Sequence, residues 1–314
     1  MELPALTDIR AAYKRIKPFI HRTPVLTSQQ LNGIFGCELY FKCENFQKVG
    51  AFKFRGALNA VLSLTADQKK SGVVTHSSGN HAAALALAAR MNGIKAFIVM
   101  PETAPGVKKD AVAGYGALIT FCKPTLQARE ETCRQIMEEQ GATLVHPYDN
   151  FNVICGQGTS ALELLEERHD LDVVVAPVGG GGLMSGTSTC VKGIESRISV
   201  IGAEPLNAND ARVSFTTGVL TPSVNPRTVA DGLLTSLSAL TFAIIRKNVD
   251  DIYTVSEESI ITCMRLVWER MKIIIEPSSA TVLAAISENR EFFSRKKVGL
   301  IISGGNVDLR KLPF

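Results

Sequence analysis

Apolar residues along this chain fall into two alternating patterns: short β-branched runs closed by Gly or Pro, and longer Ala- and Leu-rich stretches with apolar positions at helical spacing. That order predicts an α/β fold. Strands are expected at Leu39 to Lys42, Val73 to His76, Lys95 to Met100, Ala117 to Cys122, Thr143 to Val145, Asp172 to Ala176, Arg197 to Ala203, Ile252 to Val255 and Val298 to Ile302. Helices are expected at His81 to Met91, Thr125 to Gln140, Thr159 to Arg168, Glu257 to Lys272 and Ser278 to Glu288. An opening helix, expected to be capped by Thr7, sets Ile9, Ala12 and Ile16 on one face and stops before Pro18.

Continuous apolar strands such as DVVVAP imply burial on both faces, which a parallel sheet covered by helices provides. Two such sheets are expected. Residues 72–147 contain a complete βαβαβαβ series and are expected to form a small mobile domain, with 1–71 and 148–314 forming a large one.

Composition narrows the class. With 314 residues, 46% hydrophobic and 20% charged, the chain has the makings of a soluble protein with a large core. No apolar run reaches the ~20 residues needed to cross a bilayer, and the opening MELPALTDIR has neither a basic nor an apolar signal region, so a cytoplasmic location is expected. The formal charge of +4 is spread along the chain, which gives no support to a nucleic-acid surface. Seven cysteines, an odd number with no CxxC pair, read as buried thiols in a reducing compartment.

In an open α/β sheet, ligands settle beyond the carboxyl ends of the strands, and four loops here follow predicted strands or carry reactive groups. In VAPVGGGGLMSG, Gly179, Gly180, Gly181 and Gly182 can close main-chain N–H groups around an anion at a helix start, although a flexible turn needs no more explanation. In VVTHSSGNHAAAL, Ser77, Ser78, Asn80 and His81 could hold a carboxylate or simply cap the helix. In GAFKFRG, Lys53 lies between Phe52 and Phe54, where apolar surroundings favour the neutral amine that condenses with an aldehyde; a snorkelling lysine is the plainer reading. In IISGGNVDL, Ser303 ends the last strand and could face a heterocyclic nitrogen, or form a turn. A lysine for an imine, a glycine cradle for phosphate and a hydroxyl for a ring nitrogen are together the parts that pyridoxal phosphate requires. A Rossmann oxidoreductase lacks its glycine fingerprint here, and a phosphate-binding α/β protein without catalysis is the remaining alternative.

From HRTPVLTS through KFRGA, SSGNH, GQGT, GGGGL, GAEP, ADG, ERMK, EP and SGGNVD, the chain resembles the fold type II pyridoxal phosphate enzymes. The likeness is to the branch of serine racemase, serine/threonine dehydratase and threo-3-hydroxyaspartate dehydratase. It implies a tryptophan synthase β-like, two-domain enzyme with the cofactor between the domains. Lys53 would hold the cofactor as an imine and act as base on one face of the substrate, with Phe52 beside the ring. Asn80 would bond the phenolic oxygen, Gly179 to Gly182 the phosphate and Ser303 the pyridine nitrogen, with Gly232 near the ring. Ser77, Ser78, Asn80 and His81 would receive the substrate carboxylate, and Arg129 and Thr235 would touch its far end. Ser78 stands where racemisation needs a second acid/base, opposite Lys53.

The resemblance further implies a lyase or isomerase acting on small 3-hydroxy amino acids. The expected reactions are β-elimination to a 2-oxo acid and ammonia and inversion at Cα. L-threo-3-hydroxyaspartate and threonine ammonia-lyase activities are the alternatives. It also implies a homodimer and a divalent cation, magnesium or else calcium or manganese, held by Glu204, the carbonyl of Ala208 and Asp210. Ser28, Tyr115, Lys272 and Asn306 match a nucleotide site of animal serine racemases, but Ala83, Val49 and Gln29 depart from it, so ATP regulation does not carry over. The eight residues after Asn306 leave no room for the regulatory domain of isoleucine-sensitive threonine deaminases.

Overall fold

The computed structural model describes residues 2–77, 79–104 and 106–314, without the side chains of 107 and 108. Its strands are β1 (Val25–Leu26), β2 (Glu38–Cys43), β3 (Val73–His76), β4 (Ala96–Pro101), β5 (Leu118–Cys122), β6 (Thr143–Leu144), β7 (Val173–Pro177), β8 (Ser199–Pro205), β9 (Asp251–Val255) and β10 (Lys297–Ile302). They form a six-stranded sheet ordered β1-β2-β10-β7-β8-β9 and a four-stranded sheet ordered β5-β4-β3-β6. Only β1 runs antiparallel to its neighbour; the other pairings are parallel.

Alternation along the strands sends successive side chains to opposite faces, and both faces of the larger sheet are covered. Val173, Val175, Leu300 and Ile302 pack with Met264 and Leu283. Val174, Ala176 and Ile301 pack on the other side with Leu164 and Met184. That two-sided burial is why DVVVAP is apolar throughout. In the smaller sheet Val73, Ile98 and Met100 share a cluster with Leu85 and with Phe54, Ala57 and Leu58 of the helix Lys53–Leu62. Val74, Phe97 and Val99 meet Cys133 and Ile136 on the opposite face.

Close backbone approach joins three helices beneath the future site. A Cβ on Gly156 would stand 2.6 Å from the Arg55 carbonyl oxygen, and one on Gly158 would stand 2.7 Å from that of Gly186. The helices Lys53–Leu62, Phe151–Glu167 and Gly182–Ile194 are therefore in main-chain contact, which any larger residue would break. A buried ion cluster supports the first of them. Arg55 donates to Glu44 at 2.6 Å and to Glu163 at 2.7 Å, and Lys42 donates to Glu163 at 2.6 Å, all four side chains being shielded from water.

Two sequence-based expectations need correction. The opening helix Leu6–Ile16 is capped at Ala5, not Thr7, because the Asp8 carboxylate reaches back to the Ala5 N–H at 2.9 Å. The helix predicted from Thr159 begins at Phe151, where Asn150 caps it by accepting the Val153 N–H at 3.0 Å. Gly156 and Gly158 hid that first half, since helical glycines normally count against a helix and here serve contact with its neighbours.

Candidate active site

Parallel strands bring their carboxyl ends to one side, and the loops after β3, β6, β7 and β10 all open there onto a cavity of about 360 Å³. Lining it are Phe52, Lys53, Ser77, Asn80, His81, Arg129, Gly179 to Gly182, Gly232, Thr235 and Ser303. Loops separated by more than 200 residues in sequence are thus adjacent in space. Ser78 lies outside the described residues.

Lys53 opens its helix, and its half-buried amine donates to the Pro147 carbonyl at 2.9 Å and sits 5.1 Å from the centre of the Phe52 ring. Burial lowers its pKa to about 8, with the Glu276 carboxylate pulling the other way. Phe54 does not take part. One residue further round the helix, it points into the core beside Ala57.

The tetraglycine turn is shaped by steric need. Gly181 has a φ of +83°, and the helix Gly182–Ile194 starts immediately after it. A Cβ on Gly180 would stand 2.3 Å from Tyr148 Cδ1, and one on Gly182 would stand 2.8 Å from Tyr148 Cβ. Only glycine leaves this wall as a concave arc at a positive helix end, which is what a phosphate group needs. The arrangement fits pyridoxal phosphate: the amine, the cradle and the Ser303 hydroxyl border one cavity. Ser303 is buried, and its carbonyl accepts the Phe52 N–H at 2.9 Å, tying it to the residue before the lysine.

Asn80 donates its amide to both oxygens of Glu276 at 3.1 Å, and its own oxygen accepts from Asn306 at 2.9 Å. Ser77 Oγ accepts the Gly79 N–H at 3.3 Å, a cap for the turn. His81 donates from Nε2 to the Val145 carbonyl at 2.9 Å, and its Nδ1 is buried without a hydrogen-bond partner among the described residues. Burial and the nearby Lys53 push its pKa down to about 3, so it is neutral. His146 is held down to about 4 for similar reasons, and its Nδ1 accepts the Asp149 N–H at 2.9 Å. Gly232 donates its N–H to Ser278 Oγ at 3.1 Å.

Sequence reasoning missed Glu276, Tyr148 and Ser278 as wall residues. A signal existed for Glu276: it stands immediately before a helix that starts with Pro277, so EP marks a loop-to-helix junction. Tyr148 had only its place after β6.

Glu204 and Asp210 lie apart from this cavity. Glu204 is buried at the end of β8 and accepts the N–H groups of Ala211 and Arg212 at 2.9 and 2.8 Å. Asp210 accepts the Leu237 N–H at 3.3 Å, and Ala208 is buried in the turn between them. Burial raises the two carboxyls to about 8 and about 6. No cluster of three or more His, Cys, Asp or Glu side chains able to hold a metal occurs among the described residues.

A lysine of lowered basicity facing a glycine-walled anion site defines an enzyme of the pyridoxal phosphate class. The chain belongs to the family described as pyridoxal-phosphate dependent enzyme, which matches residues 16–304. It is 52% identical to a serine racemase of Dictyostelium discoideum, over 99% of this chain and 98% of the relative. It is 50% identical to the beta-hydroxyaspartate dehydratase of Paracoccus denitrificans over the whole of both chains. The crystal structure of the Dictyostelium discoideum serine racemase superposes with a TM-score of 0.93 at 53% identity, covering 97% of this chain and 99% of that one.

Proposed function

We propose that this enzyme inverts and dehydrates small 3-hydroxy amino acids, serine first among them. The observation that carries the reading is the convergence of Lys53, the four glycines and Ser303 on one cavity. Pyridoxal phosphate supplies, when bound, an electron-withdrawing ring that acidifies the substrate Cα. Lys53 Nζ, with its pKa near 8, is partly neutral at physiological pH and so can remove the Cα proton on its face. Ser78 is the proton donor we assign to the opposite face, which inversion requires. Asn80, steadied by Glu276, would donate to the phenolic oxygen, while Ser77 and the helix start behind it would receive the substrate carboxylate. The neutral histidines leave the carboxylate to hydrogen bonds in place of a cation at that point.

A second reading has its own support. Arg129 opens onto the cavity from the helix Leu126–Gln140, where it could pair with a second carboxylate, which suits L-threo-3-hydroxyaspartate as substrate. We further assign a structural divalent cation to Glu204, the Ala208 carbonyl and Asp210, because hard oxygen donors suit it and it would offset the burial of two neighbouring carboxyls. The division into 72–147 and the remainder is our reading of the two sheets, with the smaller closing over substrate to exclude water. A homodimer in the cytoplasm, where seven unpaired buried thiols stay reduced, completes it.

The test is direct. Purified protein loaded with pyridoxal phosphate is assayed on L-serine, D-serine, L-threonine and threo-3-hydroxyaspartate for oxo acid and for the inverted amino acid. Inversion of serine lost in Ser78→Ala, with elimination retained, is expected. No turnover of any of the four would reject the proposal.

A further inference from the structure

We propose that Leu126 and Leu234 are positioning residues, two apolar lips of the active-site cavity that meet when the smaller sheet closes over a bound amino acid. The inference rests on the reading above, in which residues 72–147 close over substrate, and it names the surface on which they close.

Large apolar side chains left in water are usually scattered singly and call for no account. Among the described residues, Leu126 and Leu234 are the two exposed ones that also line the cavity, at 55% and 37% exposure. The other leucines of its wall, Leu183 and Leu233, are buried, so these two stand at the mouth. They come from opposite sides. Leu126 lies between β5 and β6 of the smaller sheet, and Leu234 between β8 and β9 of the larger.

Local structure fixes each of them at the rim. Leu126 is the first residue of the helix Leu126–Gln140, which Thr125 caps by accepting the Ala128 N–H at 3.2 Å. Arg129, three residues on and so on the same helix face, lines the cavity beside it. Leu234 follows the tight turn Asp231–Leu233, in which the Leu233 N–H donates to the Ala230 carbonyl at 2.9 Å and the Gly232 N–H to Ser278 Oγ at 3.1 Å. Leu233 sits against the glycine turn, where a Cβ on Gly179 would stand 3.0 Å from its Cα. Leu234 is left outward, next to Thr235.

An apolar residue on each rim is surface that closing takes out of water. Covering the two leucines with one another favours the closed form, and ligand contacts from both sheets add to it. Because Leu126 neighbours Arg129 and Leu234 precedes Thr235, the seal falls over the end of the substrate assigned to those two residues. Water is kept from that end once the lips are together.

The experiment treats holoenzyme carrying Leu126→Cys and Leu234→Cys with a mild oxidant, with and without L-alanine, which has no β-hydroxyl to lose. The seven native thiols are buried, so the introduced pair reacts first. An intrachain disulfide needs the two Cα atoms within about 7 Å, and it is expected to form readily with L-alanine and slowly without it. Leu126→Ala and Leu234→Ala should each raise the KM for L-serine roughly three- to tenfold, from the leucine surface left uncovered, with the cofactor dissociation constant unchanged. The double variant should lose less than the product of the two, since either truncation already removes the contact. Leu126→Met, apolar and of similar size, should stay near the parent KM. Spin labels on Lys123→Cys and Lys247→Cys, exposed positions outside the cavity, report the approach of the two sheets separately. A label distance that shortens with L-alanine while no disulfide forms overturns the inference and leaves the closing movement standing, and unchanged KM values in the alanine variants overturn it equally. A distance that does not shorten, with no disulfide, overturns both.

Discussion

Gly180→Ala is the sharpest test of the phosphate cradle. The added Cβ would stand 2.3, 2.4 and 2.5 Å from Cδ1, Cε1 and Cγ of Tyr148, far inside van der Waals contact. The ring cannot swing clear cheaply, because it packs edge-on against His146 with centroids 4.6 Å apart. Overpacking of this kind costs about 1–3 kcal/mol, and any displacement of the loop misdirects the N–H groups that the phosphate needs. If that cost falls on the bound form, the cofactor dissociation constant rises roughly 5- to 150-fold. Titration of the apoenzyme by absorbance measures it. Tyr148→Ala removes all three clashing atoms, so the double variant should bind better than the two single losses added together. Unchanged affinity in Gly180→Ala, or losses that add without coupling, would show that the turn is not shaped by Tyr148.

Three further outcomes are expected. Lys53→Met abolishes the absorbance of the covalent cofactor bond and its fixation by borohydride; it also changes the pH response of the apoenzyme. Because the folded pKa of Lys53 is lowered to about 8 from 10.5, the unfolded chain binds more protons between those values, so stability rises with pH across that window. Urea midpoints measured across it should lose that component in the methionine variant. Arg55→Met strips the main partner from Glu44 and Glu163 and should destabilise by about 3–5 kcal/mol in urea unfolding, as expected for a broken buried ion cluster. Chelation with EDTA should lower the melting temperature, magnesium should restore it, and Glu204→Gln should be insensitive to both; an EDTA-indifferent parent would remove the cation.

Much of the frame is legible because the signals are local. The run Val173–Pro177 is apolar at every position, and only a strand buried on both faces keeps such a run out of water. Val73–His76 is bounded by Gly72 and by the serine loop, and β3 occupies those residues. What could not be read depends on contacts distant in sequence. The helix from Phe151 contains two glycines whose purpose lies in helices about 100 and 30 residues away. Lys53 was readable as an unusual lysine from its neighbours, yet its lowered basicity comes from burial in the folded chain, and the carboxylate opposing it is Glu276. Phe54 looked like part of the same apolar sleeve and is not. Adjacent residues on a helix point about 100° apart, which flanking sequence alone does not reveal.

The two sheets contribute different kinds of group. The glycine turn and Ser303 follow strands of the larger sheet, while Lys53 opens the helix whose Phe54, Ala57 and Leu58 pack on the smaller one; with Gly232, these are the groups we assign to the cofactor. Ser77, Asn80, His81 and Arg129 follow strands of the smaller one, line the same cavity and are the groups we assign to the substrate. One knot crosses between them: Glu276 accepts from Asn80 and from the Asn306 N–H at 3.2 Å, and Asn306 in turn donates to Asn80 and, at 2.7 Å, to the Val49 carbonyl. The Asn80 amide, which follows a strand of the smaller sheet, is thereby held in register with the Glu276 carboxylate. Loosening the knot should misalign substrate and cofactor together. Replacing Arg129 should alter substrate choice with cofactor affinity intact, because it lines the cavity from the helix Leu126–Gln140 and belongs to neither the glycine turn nor the Lys53 helix.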